Sequence, residues 1–337
     1  MSKLKFAIVG CGHIGKRHLK VINNDENAKL VAVCDIDSGV LKSLAEEHPG
    51  LNSFENFENM LQESDADVVC ICTPHGLHSE MSIKAARAKK HILVEKPMAL
   101  NSAESEKMIR EAEANGVRLF VVKQNRYNQP ILHTSKALKD KRLGKIFMVQ
   151  CNVMWNRNDD YYKQSSWRGN KITEGGALHT QVSHFLDLLI WWFGDLQQAK
   201  TIVETLNHEI EIEDCGVSAL KFESGVIGSL LWTTCVYNSN YEGSITIIGE
   251  KGTIKIGGKY LNEIEFWDVQ SYPLPQEFEE IDLPNDYGTY QGSSSNHDKL
   301  INELIYEIIQ DRKGVVEGEE GLKSIKAIEK IYKSTKM

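Results

Sequence analysis

The chain has 337 residues, 41% of them hydrophobic and 26% charged, enough for about two folded domains. Its net charge of −8 argues against a general nucleic-acid surface, and no run approaches the roughly 18 apolar residues of a membrane span. Seven scattered cysteines without a CxxC pair read as reduced thiols, and the start has no apolar leader with a cleavage site, so a cytoplasmic setting is expected.

The first apolar strand, 6–9, runs into Gly10-Cys11-Gly12-His13-Ile14-Gly15 and then an amphipathic helix through Lys20. A second strand, 30–34, ends at Asp35, about twenty residues past Gly15, the distance at which an acid meets a dinucleotide ribose. The glycines permit a tight turn and close approach of a pyrophosphate, while the helix N-terminus supplies donors. Asp37 adds a second acid and favours NAD over NADP, although Lys16 and Arg17 keep NADP open. The next strand, 68–72, enters Thr73-Pro74-His75-Gly76-Leu77-His78, a fixed turn in which Leu77 can lie against a flat ring. Residues 92–94 then deliver Glu95-Lys96-Pro97 to the sheet edge where ligands bind. A lysine there can reach a substrate hydroxyl; the plainer reading is a salt bridge with Glu95. Alternating strands and helices predict a parallel sheet wound by helices, a Rossmann domain over 1–125.

From 126 to 337 the pattern changes. Strand-like runs at 147–153, 217–222, 226–232, 244–248 and 253–256 are punctuated by glycines, predicting an α+β domain with an open, mostly antiparallel sheet. The tract 291–296 reads as a flexible loop ahead of helices near 297–310 and 321–334. Gly175 and Gly176 open an apolar helix through Trp192, on which Thr180, His184 and Asp187 share one face at helical spacing with Gln181 beside them. His179 falls on another face and no glutamate completes a zinc pattern, so no metal is expected. A histidine on such a helix is by itself more often a satisfied core residue than a catalyst. Arg126, Arg157 and Arg168 suit phosphate or carboxylate, and Tyr161, Tyr162 and Trp167 suit stacking on uracil or nicotinamide, though each is as readily a core residue. His297 opens a helix and can meet a nucleotide or carboxylate, or serve only as a first-turn residue.

The glycine fingerprint, Thr73-Pro74-x-x-Leu77-His78 and Glu95-Lys96-Pro97, in order and each at a strand end, resemble the glucose–fructose oxidoreductase/inositol dehydrogenase (Gfo/Idh/MocA) family. The resemblance implies NAD as cofactor and contacts to it from Gly10, Gly12, His13, Ile14, Gly15, Asp35, Thr73, Pro74, His78, Glu95, Lys96, Gln124, Trp167 and Arg168. His184 matches the family's catalytic histidine. Many members carry Asp where this chain has Thr180, which supplies no charge to the imidazole, so the base role is shared between Lys96 and His184. The family's open sheet commonly packs on another subunit, so a homo-oligomer, dimer or tetramer, is expected.

A narrower likeness runs through residues 120–126, Trp155-x-Arg157, Tyr161-Tyr162, Trp167-Arg168-Gly169, Gln181-x-Ser183-His184, Glu211-x-Glu213-Asp214, 242–247 and 249–253. It is similar to the branch of NAD-dependent UDP-N-acetylglucosaminuronate 3-dehydrogenases of bacterial surface-polysaccharide synthesis. That branch implies a UDP-sugar acid held by Lys96, Asn125, Arg157, Tyr161, Thr180, Gln181, His184 and His297, with NADH recycled by 2-oxoglutarate. The rival expectations are a dehydrogenase of a free sugar, an inositol or another nucleotide sugar, and, in a different class, a non-catalytic NAD-binding regulator.

Overall fold

The computed structural model describes residues 3–274, 284–286, 291–312, 314 and 316–336. Two compact units emerge, Met1–Lys123 with His297–Ile325, and Gln124–Asn296 with Lys326–Met337. The contiguous cut expected at residue 125 is therefore replaced by an interleaved one.

In the first unit the chain alternates β1 (Leu4–Val9), α1 (His13–Asn24), β2 (Ala28–Cys34), α2 (Ser38–Glu47), β3 (Asn52–Phe54), α3 (Phe57–Glu63), β4 (Val68–Ile71), α4 (His78–Arg87), β5 (His91–Val94), α5 (Ser102–Asn115) and β6 (Leu119–Val121). The strands pair in parallel in the order β3-β2-β1-β4-β5-β6. Phe6, Ala7, Ile8, Val68, Val69, Cys70 and Ile71 are wholly buried, as expected of strands covered on both faces. The order reverses between β1 and β4, which places a crevice at their carboxyl ends, where Gly10 and Cys72 lie.

The second unit carries α6 (Gln129–Lys139), β7 (Ile146–Met154), α7 (Asp159–Lys163), a π-helical turn (Leu178–Val182) leading into α8 (Ser183–Phe193), β8 (Leu196–Glu204), β9 (Cys215–Phe222), β10 (Ile227–Thr233), β11 (Glu242–Gly249), β12 (Gly252–Gly257) and β13 (Glu263–Val269). These strands form one sheet, β13-β12-β11-β7-β10-β9-β8, antiparallel except for the parallel pair β7–β10. The edge strands β8 and β13 escape a reading by apolar runs, because polar and exposed positions interrupt the apolar ones in each. The tract expected as a flexible loop carries β15 (Gln291–Ser294), paired with β14 (Pro284–Asp286).

The chain closes with α9 (His297–Ile309) and α10 (Gly318–Lys333). Leu300, Ile301, Leu304 and Ile305 of α9 are buried, and Arg118 ahead of β6 donates to the Glu307 carbonyl at 3.0 Å and to the carboxylates of Glu307 and Glu317 at 3.0 and 2.6 Å. Those contacts return 297–325 to the first unit. No helix among the described residues is long and apolar enough to cross a membrane.

Candidate active site

The three fingerprint glycines answer different demands. Gly10 has φ +85 and a Cβ there would lie 2.7 Å from the Cys72 carbonyl oxygen, while a Cβ on Gly15 would lie 2.0 Å from the Gly10 carbonyl oxygen. Both are fixed by the protein's own packing. Around Gly12, by contrast, a Cβ would meet nothing within 4 Å. Gly12 also begins α1, whose N-terminus has no side-chain cap and no acid in its first turn. Asp35 at the end of β2 accepts from the Cys11 N–H at 2.6 Å and the Asp37 N–H at 2.9 Å, bracing the glycine loop. A carboxylate has about four acceptor positions, so two remain for a diol. Asp37 caps α2 through Gly39 and Val40. An open glycine, an uncapped helix N-terminus and an acid at the neighbouring strand end fit a dinucleotide: the backbone of Gly12, His13 and Ile14 would hold pyrophosphate, and Asp35 the ribose.

Beyond β5 the Glu95–Lys96 pair is not the simple salt bridge considered above. Glu95 is buried; its Oε1 lies 2.8 Å from His18 Nε2 and 3.6 Å from His297 Nε2, and its Oε2 accepts from the Lys96 N–H at 3.2 Å. Burial opposes ionisation of Glu95, but the two imidazoles beside it outweigh that and hold the carboxyl well below its usual range. Burial likewise lowers the His297 pKa, and neither of its ring nitrogens comes within hydrogen-bond distance of a partner among the described residues. The expectation that His297 meets substrate falls on a ring wholly buried beside Glu95 and His18. Glu95 is thus a brace for the Lys96 backbone.

His78 is tied into the fold on both sides. Its ring is fully buried, with Nδ1 2.8 Å from the Pro97 carbonyl and Nε2 2.8 Å from the Thr73 carbonyl, so it ties the loop after β4 to the loop after β5. A neutral ring donates to only one of these carbonyls at a time, and with both nitrogens facing them it shapes the loop that carries Thr73 and Pro74. Burial lowers its pKa despite both carbonyls. Leu77 stays 43% exposed, available to a ring.

In the second unit, Gln124 Nε2 lies 3.3 Å from His184 Nε2. With the amide donating, Nε2 is the acceptor nitrogen of a neutral imidazole, the form a base requires. Neighbouring Asn125 is 2% exposed, and neither atom of its side-chain amide finds a partner among the described residues. Such an orphan is expensive unless something binds it, which suits the ligand role expected of it.

The arginines behave otherwise than the sequence suggested. Arg126 clasps Asp187 through Nε at 2.8 Å and Nη2 at 2.9 Å, both side chains buried. Arg157 is 2% exposed and donates to the Asn156 carbonyl at 2.6 Å, Asn240 Oδ1 at 3.2 Å and Gln181 Oε1 at 2.7 Å. Gln181 Nε2 in turn donates to the Tyr161 hydroxyl at 3.0 Å. Arg157 therefore fixes Gln181 and Tyr161 instead of presenting its fork to an anion. Arg168, half-buried beside Trp167, lies 3.9 Å over the Tyr161 ring.

Thr180, expected at i−4 from His184 on a regular helix, lies in the π turn, which shifts that register. Its hydroxyl donates to Glu174 Oε1 at 2.8 Å. Glu174 is a buried carboxylate that the sequence reading missed. Tyr332 is missed too, and Glu213 entered only through the likeness at 211–214, with no role: the tyrosine hydroxyl donates to Glu213 at 2.7 Å and occupies the place of a Gly176 Cβ. Burial raises the Glu213 pKa to about 6. Nothing local in the sequence links residue 332 to residue 176, so only topology reveals this cluster.

The chain is similar to the WlbA dehydrogenase from Bordetella pertussis, crystallised with NADH and UDP-GlcNAcA, with 36% identity and a TM-score of 0.90 over 99% of this chain and 97% of that one. It is similar to the WlbA dehydrogenase from Chromobacterium violaceum, in complex with the same two ligands, with 37% identity and a TM-score of 0.90 over 100% and 94%. The 2,7-anhydro-N-acetylneuraminate hydratase of Escherichia coli is 27% identical over 75% of this chain and 67% of its own. Residues 4–123 match the oxidoreductase family's NAD-binding Rossmann fold and 135–337 its C-terminal alpha/beta domain. The chain belongs to the Gfo/Idh/MocA family of oxidoreductases, with NAD as its cofactor.

Proposed function

We propose that this protein oxidises the carbon-3 hydroxyl of UDP-N-acetylglucosaminuronate to a ketone. The observation that carries this reading is the 36–37% identity, over essentially the whole chain, to two dehydrogenases crystallised with NADH and UDP-GlcNAcA. NAD⁺, when bound, supplies the hydride acceptor. Gly12, His13, Ile14 and Asp35 would hold it, with Thr73, Pro74, Gln124, Trp167 and Arg168 toward its nicotinamide end. Lys96, its backbone pinned by Glu95, and His184, its Nε2 facing Gln124, share removal of the hydroxyl proton. Asn125 binds a sugar hydroxyl or the acetamido group, and Gln181, Tyr161 and Thr180 line the sugar, with Arg157 positioning them.

The protein works in the cytoplasm as a homo-oligomer. Exposed Ile227, Met148 and Ile248 sit side by side across β10, β7 and β11, an apolar row suited to covering by a second copy. The keto-sugar feeds surface-polysaccharide synthesis, with 2-oxoglutarate recycling NADH.

The test is NADH formation by purified protein given NAD⁺ and UDP-N-acetylglucosaminuronate, with and without 2-oxoglutarate, beside a panel of free sugars, inositols and other nucleotide sugars. Turnover confined to the UDP-uronate is expected. Turnover on a free polyol alone would retain the dehydrogenase and discard the UDP-sugar assignment.

A further inference from the structure

The second unit gathers a separate set of ligating side chains. His208 lies in the turn between β8 and β9, Asp214 immediately precedes β9, and Cys235 lies two residues past β10. His208 Nδ1 is 3.1 Å from Asp214 Oδ2 and 3.9 Å from Cys235 Sγ, and the three ligand atoms lie within 4.8 Å of one another. Neither the nucleotide edge nor the His184 helix includes them.

We propose that His208, Asp214 and Cys235 form a binding site for a thiophilic divalent cation, zinc above all. Thiolate, imidazole and carboxylate together suit zinc and disfavour magnesium or calcium, which take oxygen. With Zn–S about 2.3 Å and Zn–N and Zn–O about 2.0 Å, a tetrahedral centre sets S···N at about 3.5 Å and N···O at about 3.3 Å. The observed 3.9 and 3.1 Å are within a few tenths of an ångström of those edges.

The surroundings are those of a built site. Asp214 is wholly buried and held by the backbone N–H groups of Leu206, Asn207 and His208 at 2.8, 2.9 and 3.0 Å. These donors fix the carboxylate in place in advance. His208 Nε2 lies 3.3 Å from Asn207 Nδ2, a donor that leaves the ring proton on Nδ1 toward Asp214; a cation on Nδ1 would displace that proton to Nε2, with the Asn207 amide turned to present its oxygen. Cys215 lies 3.7 Å from Cys235, its thiol directed to that sulfur, and the Cys235 thiol is directed at the Asp214 carbonyl at 3.8 Å, so a cation must displace its proton.

A cavity of about 370 Å³ lined by Asn207, His208, Thr234 and Cys235 gives an entry path and room for a water as fourth ligand. Binding forms the metal–sulfur bond as the Cys235 thiol proton leaves to solvent. Thiolate and carboxylate then neutralise the dication. The ion clips the turn after β8 to the end of β10.

The experiment titrates reduced, metal-free full-length protein with cobalt(II) alone and reads thiolate-to-cobalt charge transfer and the intense ligand-field bands of a tetrahedral site. One equivalent should produce both, zinc should abolish both, and Cys235→Ser and His208→Gln should lose them while Cys215→Ser keeps them. Absence of the thiolate band in the unaltered protein would overturn the proposal without reference to any variant's folding. So would a band that survives in Cys235→Ser or disappears only in Cys215→Ser. The readout needs no turnover, so its failure is distinct from failure of the dehydrogenase reading.

Discussion

Replacing Gly12 by alanine separates what the fingerprint does for the cofactor from what it does for the fold. The new methyl would meet no protein atom within 4 Å, and the backbone at φ −69, ψ −161 is open to alanine. Removing a glycine from the unfolded chain favours folding by about 0.4–1 kcal/mol. Losing glycine at a helix N-cap costs about 0.5–1 kcal/mol, so the two nearly cancel and Tm should move by less than about 3 °C. At Gly15 the same methyl would sit 2.0 Å from the Gly10 carbonyl oxygen. Only a shift of α1 or of the loop relieves that overlap, at about 1–3 kcal/mol or more. A pyrophosphate on the Gly12 backbone would be pushed off its donors, and each charge-assisted hydrogen bond lost is worth about 1.5–3 kcal/mol. Losing one predicts at least about 10-fold weaker NADH binding, the equivalent of 1.4 kcal/mol. NADH titration by fluorescence beside a thermal melt reads both quantities. Gly12→Ala should keep its Tm and lose affinity, and Gly15→Ala should lose both. Unchanged NADH affinity in Gly12→Ala would refute the assignment of that surface to the dinucleotide.

Lys96→Ala should lower turnover by about 10²-fold with NADH affinity retained, the usual scale for a positioned acid–base group; near-normal turnover would remove Lys96 from the chemistry. Asn125→Leu keeps the side chain's shape and discards an amide that is buried without a protein partner. Its Tm should hold or rise while substrate KM climbs about 10-fold or more, and a marked fall in Tm would mean that the amide serves the fold. Glu213, raised to about 6 from the usual 4.5, is neutral in the fold under conditions where the unfolded chain has already ionised. Its contribution is present below pH 4.5 and lost as pH rises through about 6, about 2 kcal/mol in all. Glu213→Gln keeps an acceptor for Tyr332 and Leu178 without the titration, so stability measured from pH 4 to pH 7 should lose that decline. Parallel profiles for the two proteins would count against it.

The Rossmann unit was legible because its signals are local. Strands buried on both faces read as apolar runs, and Gly10, Gly15 and Asp35 occupy fixed offsets along the chain. Individual site residues were legible by the same route, through motifs at strand ends. Their partners were not. Glu95 looked like a counter-ion for its neighbour, yet its carboxylate is turned to His18, 77 residues earlier, and His297, some 200 residues later. Arg157 was read by its chemistry as an anion ligand, whereas its fork is spent on Gln181 and Asn240, which no periodicity connects to it. The π turn at Leu178–Val182 was hidden for a related reason. It follows Gly176, whose φ of +135 leaves room for the hydroxyl of Tyr332 from the end of the chain.

The departure at Thr180 is compensated in the fold. Where many relatives carry an aspartate, this chain has a hydroxyl whose proton is directed to Glu174, a carboxylate six residues upstream that also accepts the Gly169 N–H. A hydroxyl committed in this way can turn only oxygen lone pairs toward its other neighbours, and hydrogen bonding to a carboxylate makes that oxygen a stronger acceptor. Thr180 thereby acquires part of the character of the acid it replaces, with the negative charge held one bond further back. That distance matters for His184. A full charge beside the imidazole would stabilise its protonated form; a hydroxyl supplies no such charge. In the proposed mechanism the base role is therefore shared between His184 and Lys96, which is set in place by the Glu95 brace.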